Sequence, residues 1–160
     1  MNNMYADDMM KAEEALKENG EFASLTVGIS MRPMLREHRD VVIIGRVSGR
    51  LKKNDVPLYR RAGSGKFVLH RILKVTEDGY VIRGDNLYRK EYDVKDSDII
   101  GVLKAFYRDG KYYDCLHSRK YRLYVFLNRA SYPLRYIWKI HLHPALGKIK
   151  RILLGKSRVK

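Results

Sequence analysis

The sequence predicts a mainly β domain with an acidic helix before it and a basic, helical tail after it. Short runs of branched and aromatic residues alternate with turn residues over 23–116, which is typical of strands. The first 22 residues have helical spacing and many carboxylates, whereas residues 117–160 contain twelve Lys and Arg and no acidic residue. We therefore divide the chain into 1–22, 23–116 and 117–160.

The N-terminal helix is predicted over 5–19. Its apolar residues fall near one face, and Asn19-Gly20 provides a stop signal. The residues of that face are Met9, Met10, Ala12, Ala15 and Leu16. We expect this face to pack on the β domain.

Frequent turns between short strands predict a β-barrel or sandwich. The strands are predicted at 24–27, 41–47, 56–61, 67–76, 80–83, 99–108 and 111–114. The longest of the early strands, 67–76, is predicted to be continuous, with His70 and Arg71 on opposite faces. Asp109-Gly110 is predicted to be a two-residue hairpin turn.

Composition limits the class of protein. With 160 residues, 45% of them apolar, the chain can bury a core and is not generally disordered. The single cysteine, Cys115, excludes an internal disulfide framework and a cysteine metal cluster. We expect no metal and no cofactor. No apolar run approaches the length of a membrane span, and the acidic N-terminus is not a secretory signal. The expected location is the cytoplasm, with peripheral contact at the inner face of the membrane as an option.

A compact turn, 28–35, joins two of the predicted strands. Gly28 permits unusual backbone angles, and Pro33 restricts the chain just after Ser30. Taken alone, the stretch has two interpretations: a tight turn in which Ser30 caps a helical turn, or a rigid turn that presents Ser30 for chemistry.

A histidine and a carboxylate follow Ser30 in an order that suits nucleophilic catalysis. Serine needs a neighbouring base to take its proton, and histidine is the usual one because it titrates near neutrality. A carboxylate can hold the imidazole in the correct tautomer. His70 and Asp85 are the candidates, although a strand histidine can be structural and Gly84-Asp85-Asn86 can be an ordinary turn.

These pieces resemble the signal peptidase and LexA-type superfamily of serine peptidases. The similarity covers about residues 24–107, and its segments stand in family order. They are 28–33 with the following strand 40–44, then 54–59, 68–73, 83–86 and 99–102. The histidine before Arg71 resembles the archaeal and endoplasmic-reticulum branch, whereas the bacterial type has lysine there.

The resemblance implies a coiled, partly open β-barrel and a serine endopeptidase site. Ser30 would be the nucleophile and His70 the general base, with the backbone N–H of Ser30 as one oxyanion donor. The nucleophile turn would include Gly28, Met31 and Pro33. The supporting acid would be Asp85, with Glu91 and Asp93 as alternatives.

The sequence also departs from the family pattern. Gly28 stands where many lysine-type members have a serine that gives a second oxyanion donor, and Arg39 replaces a usual glycine. Neither the membrane anchor of signal peptidases nor the DNA-binding domain of the repressors is expected in this chain. The partner would be a peptide or protein substrate. The alternative is a non-catalytic module on the same barrel that binds a peptide or an anionic surface.

The tail at 117–160 mixes basic and aromatic residues and has three interpretations. Its helices, predicted over 118–130 and about 134–154, could pack on the barrel with a solvated charged face. They could instead bind an anionic membrane surface, with Trp138 and the tyrosines at the interface. Single-stranded nucleic acid is the third and least favoured partner.

Overall fold

A computed structural model describes the backbone of residues 2–142 and the side chains of 10–140. Its strands and helices occur in the following order: α1 (Asn2–Asn19), β1 (Glu21–Leu25), β2 (Val41–Gly45), β3 (Pro57–Arg60), β4 (Phe67–Leu69), β5 (Arg71–Val75), β6 (Tyr80–Arg83), β7 (Glu91–Val94), a 3₁₀ turn (Asp96–Asp98), β8 (Ile99–Arg108), β9 (Lys111–Asp114), α2 (Arg119–Ala130), α3 (Tyr132–Ile137) and a π-helical turn (Trp138–Leu142).

The strands form two antiparallel sheets, and the protein is mainly β, as predicted. The larger sheet has the order β1-β2-β8-β3-β4, with β9 also paired to β8, and it curls into a half-barrel. The smaller sheet has the order β5-β6-β7. The ten-residue β8 organises the larger sheet because it pairs with β2, β3 and β9.

The core lies where side chains from both sheets meet. Branched and aromatic residues, which suit a pleated and half-buried surface, supply it. The members of this cluster are Leu51, Tyr59, Ile72, Tyr80, Ile82, Val94 and Val102. At the N-terminus Leu16 of α1 is buried as expected, but Met10 of the same predicted apolar face is 70% exposed.

The predicted continuous strand over 67–76 is wrong, because it breaks at His70. Residues before the break pair with β3 in the larger sheet, and residues after it pair with β6 in the smaller one. The simple alternation of faces fails for the same reason: His70, Arg71 and Ile72 are all buried in succession. The break moves the chain between sheets and places His70 at their junction.

Three strands and the last hairpin turn of the β domain agree with the sequence prediction. Tyr80–Arg83, Ile99–Arg108 and Lys111–Asp114 are strands with the expected bounds. Asp109 and Gly110 both have positive φ, as a tight hairpin turn requires. In contrast, β7 was not predicted, since Glu-Tyr-Asp-Val alternates too briefly to give a clear signal.

The chain divides into two compact units between Arg122 and Leu123. The first contains every strand of the described residues. The second is helical as far as residue 142, so the predicted helix over 118–130 is confirmed as Arg119–Ala130. The prediction over 134–154 corresponds to α3 and the π-helical turn up to 142, and its remainder lies outside the described residues. Over that described part, no helix combines the length and apolar character needed to cross a bilayer.

Candidate active site

The turn that carries Ser30 is anchored by buried side chains, whereas Ser30 itself is partly exposed. Gly28 has φ of 86°, a region that favours glycine, and its N–H donates to Glu37 Oε1 at 2.9 Å. Met31, Met34 and Leu35 are each no more than 4% exposed. Ser30 itself is of intermediate exposure. The buried side chains therefore fix the turn on the protein, and Ser30 remains accessible.

His70 lies at the sheet junction with its imidazole almost fully buried, at 1% exposure. Its backbone N–H donates to the Pro57 carbonyl at 3.3 Å. On the ring, Nδ1 lies 2.9 Å from Glu91 Oε1 and 3.2 Å from the Tyr59 hydroxyl. The side of the ring that carries Nδ1 is thus occupied by polar groups of the protein.

The opposite side of the ring faces the Ser30 segment across Gly84. A Cβ on Gly84 would lie 3.0 Å from His70 Nε2 and 2.7 Å from the Ser30 carbonyl oxygen. Asn86 closes the same contact, because its backbone N–H donates to the Ser30 carbonyl at 2.8 Å and its side-chain amide donates to the Ile29 carbonyl at 3.2 Å. Residues 84–86 therefore join the Ser30 turn to the His70 imidazole, and glycine is needed where the two approach.

Glu91 is held beside His70 by an arginine. Arg61 donates to both carboxylate oxygens of Glu91, through Nη2 at 2.6 Å and Nε at 2.8 Å. Burial acts to raise the pKa of Glu91, but the hydrogen bonds from Arg61 and Tyr59 and the charge of His70 outweigh it, and the pKa falls below its ordinary value. Glu91 is consequently ionised at neutral pH.

Burial lowers the pKa of His70 below its usual 6.5, although the Glu91 carboxylate opposes this shift. The imidazole is therefore neutral at pH 7. A neutral ring whose Nδ1–H donates to a carboxylate has a free lone pair on Nε2, on the side that faces the Ser30 segment. Such a ring can accept a proton from a hydroxyl.

The three candidate acids have different surroundings in the structure, and the one named first from the sequence, Asp85, is not the one that contacts His70. Asp85 is 4% exposed and accepts two hydrogen bonds from Arg71, from Nε at 2.8 Å and Nη2 at 2.7 Å. Asp93 is exposed on β7, with φ of 59°. Glu91, two residues earlier on the same strand, is the carboxylate that contacts His70.

The Arg71–Asp85 pair is part of a buried scaffold beside the site. Arg71 Nη1 also donates to the Asn54 carbonyl at 3.0 Å and to the Tyr121 hydroxyl at 2.9 Å. Arg71 is 1% exposed, and a buried charge is costly unless it is paired. Asp85 supplies the opposite charge that Arg71 needs. This scaffold fixes β5 and the 84–86 loop relative to each other.

Sequence reasoning assigned no role to Tyr59 and Arg61. A usable signal existed, because the two are separated by one residue on a predicted strand and so share a face. That face points at Glu91 and His70. Without β7 in the prediction, however, no partner for the face could be named.

No metal site accompanies this arrangement in the described part of the chain, where no group of three or more His, Cys, Asp or Glu side chains could hold an ion. Neither a comparison with models of known protein families nor a comparison with curated proteins finds a match for this chain.

Proposed function

We propose that this protein is a serine endopeptidase of the signal-peptidase and LexA-like kind, with Ser30, His70 and Glu91 as its catalytic residues. One observation carries the proposal: a buried histidine has a carboxylate on Nδ1 and the Ser30 segment beyond Nε2. The curled half-barrel sheet and the order of the resembling segments support the same fold family.

The reaction follows from these positions. His70 Nε2 takes the hydroxyl proton as Ser30 Oγ attacks the peptide carbonyl, and Glu91 stabilises the imidazolium that forms. The Ser30 N–H donates to the oxyanion. His70 then gives the proton to the leaving amine, which departs as the C–N bond breaks. Water, activated by the same histidine, hydrolyses the acyl-enzyme and restores Ser30.

The edge of the larger sheet next to Ser30 suits an extended substrate. β1 ends the sheet path, and three apolar residues at alternate positions lead from it to Ser30. Leu25, Val27 and Ile29 are 48%, 73% and 50% exposed. Exposed apolar side chains at the end of an edge strand and in the segment that follows it fit a peptide that adds as a strand and places its own apolar side chains against them.

A non-catalytic binding module on the same barrel is the alternative. It would have no need of a carboxylate on the histidine, and an exposed, unsupported ring would favour it. The 2.9 Å contact between Glu91 and a buried His70 supports the enzyme instead.

The test compares cleavage by wild-type protein and by Ser30→Ala and His70→Ala variants. Mass spectrometry of a library of apolar-rich peptides should show products with wild type and none with either variant, while circular dichroism remains unchanged. Ser97→Ala and His117→Ala are the matched controls, since both residues are exposed and lie on neither the β1 edge nor the Ser30 turn. Wild-type turnover by Ser30→Ala would overturn the proposal.

A further inference from the structure

Three large apolar side chains of the helix α2 lie on its exposed side. Leu123, Phe126 and Leu127 follow i, i+3, i+4 spacing and therefore lie on one face, and they are 58%, 66% and 54% exposed. On the same helix Val125 and Asn128 are buried. A polar asparagine is thus covered while a phenylalanine is not, which reverses the usual arrangement of a surface helix.

The same spacing recurs in the next helical segment. Leu134, Ile137 and Trp138 are 72%, 48% and 54% exposed, and Ile140 is 45% exposed. Single exposed apolar side chains are ordinary, but two successive i, i+3, i+4 groups make an apolar surface that a monomer rarely leaves to water. We call these two groups, Leu123/Phe126/Leu127 and Leu134/Ile137/Trp138, the outer apolar stripes.

Positive charge accompanies the outer apolar stripes. Arg119, Lys120 and Arg122 occupy the first turn of α2 and are exposed. Residues 123–160 contain nine Lys and Arg and no acidic residue. Apolar side chains combined with cations and an interfacial tryptophan match a surface that has negative headgroups above hydrocarbon.

The other partners of similar chemistry fit less well. A second copy of the chain would bring two purely basic segments together, and like charges repel. Single-stranded nucleic acid would supply the negative charge, but it is held by stacking on aromatic rings, and most of the outer residues are aliphatic. An acidic bilayer surface satisfies both the charge and the aliphatic side chains.

We propose that the outer apolar stripes and the basic first turn of α2 dock this protein on an anionic membrane surface. The helices lie in the plane of the interface, with Phe126, Leu127 and Trp138 inserted below the headgroups. The inference is independent of the peptidase proposal, because it uses no residue of that site.

The experiment uses the full chain and two kinds of vesicle: neutral phosphatidylcholine, and phosphatidylcholine with phosphatidylglycerol in equal molar parts. Wild type should sediment with the anionic vesicles and not with the neutral ones. Trp138 is the only tryptophan in the chain, so its emission reports on the tail itself. It should shift to shorter wavelength when anionic vesicles are added.

Two sets of variants locate the contact. Phe126→Ser with Leu127→Ser should weaken binding to anionic vesicles about tenfold or more and abolish the emission shift. Met10→Ser with Tyr112→Ser, exposed positions elsewhere, should change neither. The charge variant Arg119→Gln/Lys120→Gln/Arg122→Gln should bind on the order of a hundredfold more weakly. Its control, Lys52→Gln/Lys53→Gln/Lys66→Gln, removes the same charge from exposed positions and should bind as wild type does.

Several results would overturn the proposal. Equal binding to both vesicles, or equal losses from the two charge variants, would rule out specific docking through this tail. A dimer in light scattering that Phe126→Ser dissolves, without vesicle binding, would assign the stripes to a second copy. Tighter binding to a single-stranded oligonucleotide than to vesicles would assign them to nucleic acid. A large loss of thermal stability in the serine variants, with vesicle binding unchanged, would mean that the chain covers these residues itself.

Discussion

At the scale of single residues, the carboxylate beside His70 decides how the proposed site works. Glu91→Gln keeps the size of the side chain but removes the charge that stabilises the imidazolium, and it can leave the ring in the wrong tautomer. We expect kcat to fall on the order of a thousandfold. Asp93→Asn, on the same strand but exposed, should leave kcat unchanged. Cleavage assays in which Asp93→Asn is the damaged variant would exclude the assignment of Glu91.

Arg61 is a positioning residue whose effect should appear in the pH profile. Its charge acts to lower the pKa of His70, in the same direction as burial. A base must be neutral to act, so kcat/KM should rise with pH through a value below 6.5 and then level off. In Arg61→Gln the pKa of His70 should increase, and the acid limb should move to higher pH. Arg61→Lys keeps the charge and should move it less.

A merely structural role for Arg61 would give a different result. Activity would then fall at all pH values, and the position of the acid limb would stay the same in both variants. Measuring kcat/KM from acid to neutral pH for wild type, Arg61→Gln and Arg61→Lys separates the two roles.

At the scale of elements, Gly84 controls how closely the Ser30 turn approaches His70. A Cβ there would lie 2.7 Å from the backbone carbonyl of Ser30, so Gly84→Ala must push the turn and the imidazole apart. Small displacements of reacting groups can cost about a hundredfold in rate, and we expect a loss of that order in kcat. Gly63→Ala in an exposed hairpin tip is the control, because its positive φ makes it strained but remote. Comparable losses in both variants would point to instability rather than geometry.

A second element, the connection from β1 to β2, depends on one buried carboxylate. Asp40 is fully buried and accepts from Arg36 Nε at 3.0 Å and Nη2 at 2.7 Å, and from Arg108 Nε at 3.2 Å. Burial opposes ionisation of Asp40, but these hydrogen bonds and charges lower its pKa below the ordinary value. A carboxylate with a lowered pKa stabilises the fold above its unfolded pKa, and that stability is lost as pH falls through the folded one.

Asp40→Asn should therefore lower the free energy of unfolding by about 3 kcal/mol at neutral pH, because it leaves the partner arginines without their carboxylate. The difference from wild type should shrink in acid, below the ordinary pKa of Asp40. Urea unfolding of both proteins, at neutral pH and in acid, measures this difference in the free energy of unfolding. Asp109→Asn, an exposed partner of Arg36, should change stability little. A constant difference at all pH values would mean that the charge of Asp40 is not what stabilises this connection.

The sequence predicted strands well where one face of the strand is buried and turn residues mark its ends, as in β6, β8 and β9. It failed at His70, since alternation along a run cannot reveal that a strand changes sheets. The same failure affects the site. Ser30 and His70 could be named from their types and order. The approach of Glu91 to His70 depends on β7, whose sequence signal is too short.

At the scale of the whole molecule, positive charge is concentrated in the C-terminal tail rather than in the part of the chain that contains the proposed active site. Residues 1–116 have a net charge of only +3, while the remaining 44 residues carry twelve cations and no acid. The charged groups of the proposed site are paired over short distances, by contacts of 2.6–2.9 Å, and partly buried pairs at such distances are screened much less by salt than separated surface charges are. Exposed cations that attract a distant surface are screened strongly.

Salt should therefore separate the two proposed activities. Cleavage of a soluble, uncharged peptide should keep its kcat/KM within about twofold when ionic strength rises from about 0.01 M to 1 M, because the Debye length, roughly 30 Å falling to 3 Å, matters little for contact pairs. Over the same range, binding to anionic vesicles should be lost. Parallel assays on one protein preparation measure both. A parallel fall of cleavage and vesicle binding would mean that the basic tail also attracts the peptide, and that charge outside the site contributes to catalysis.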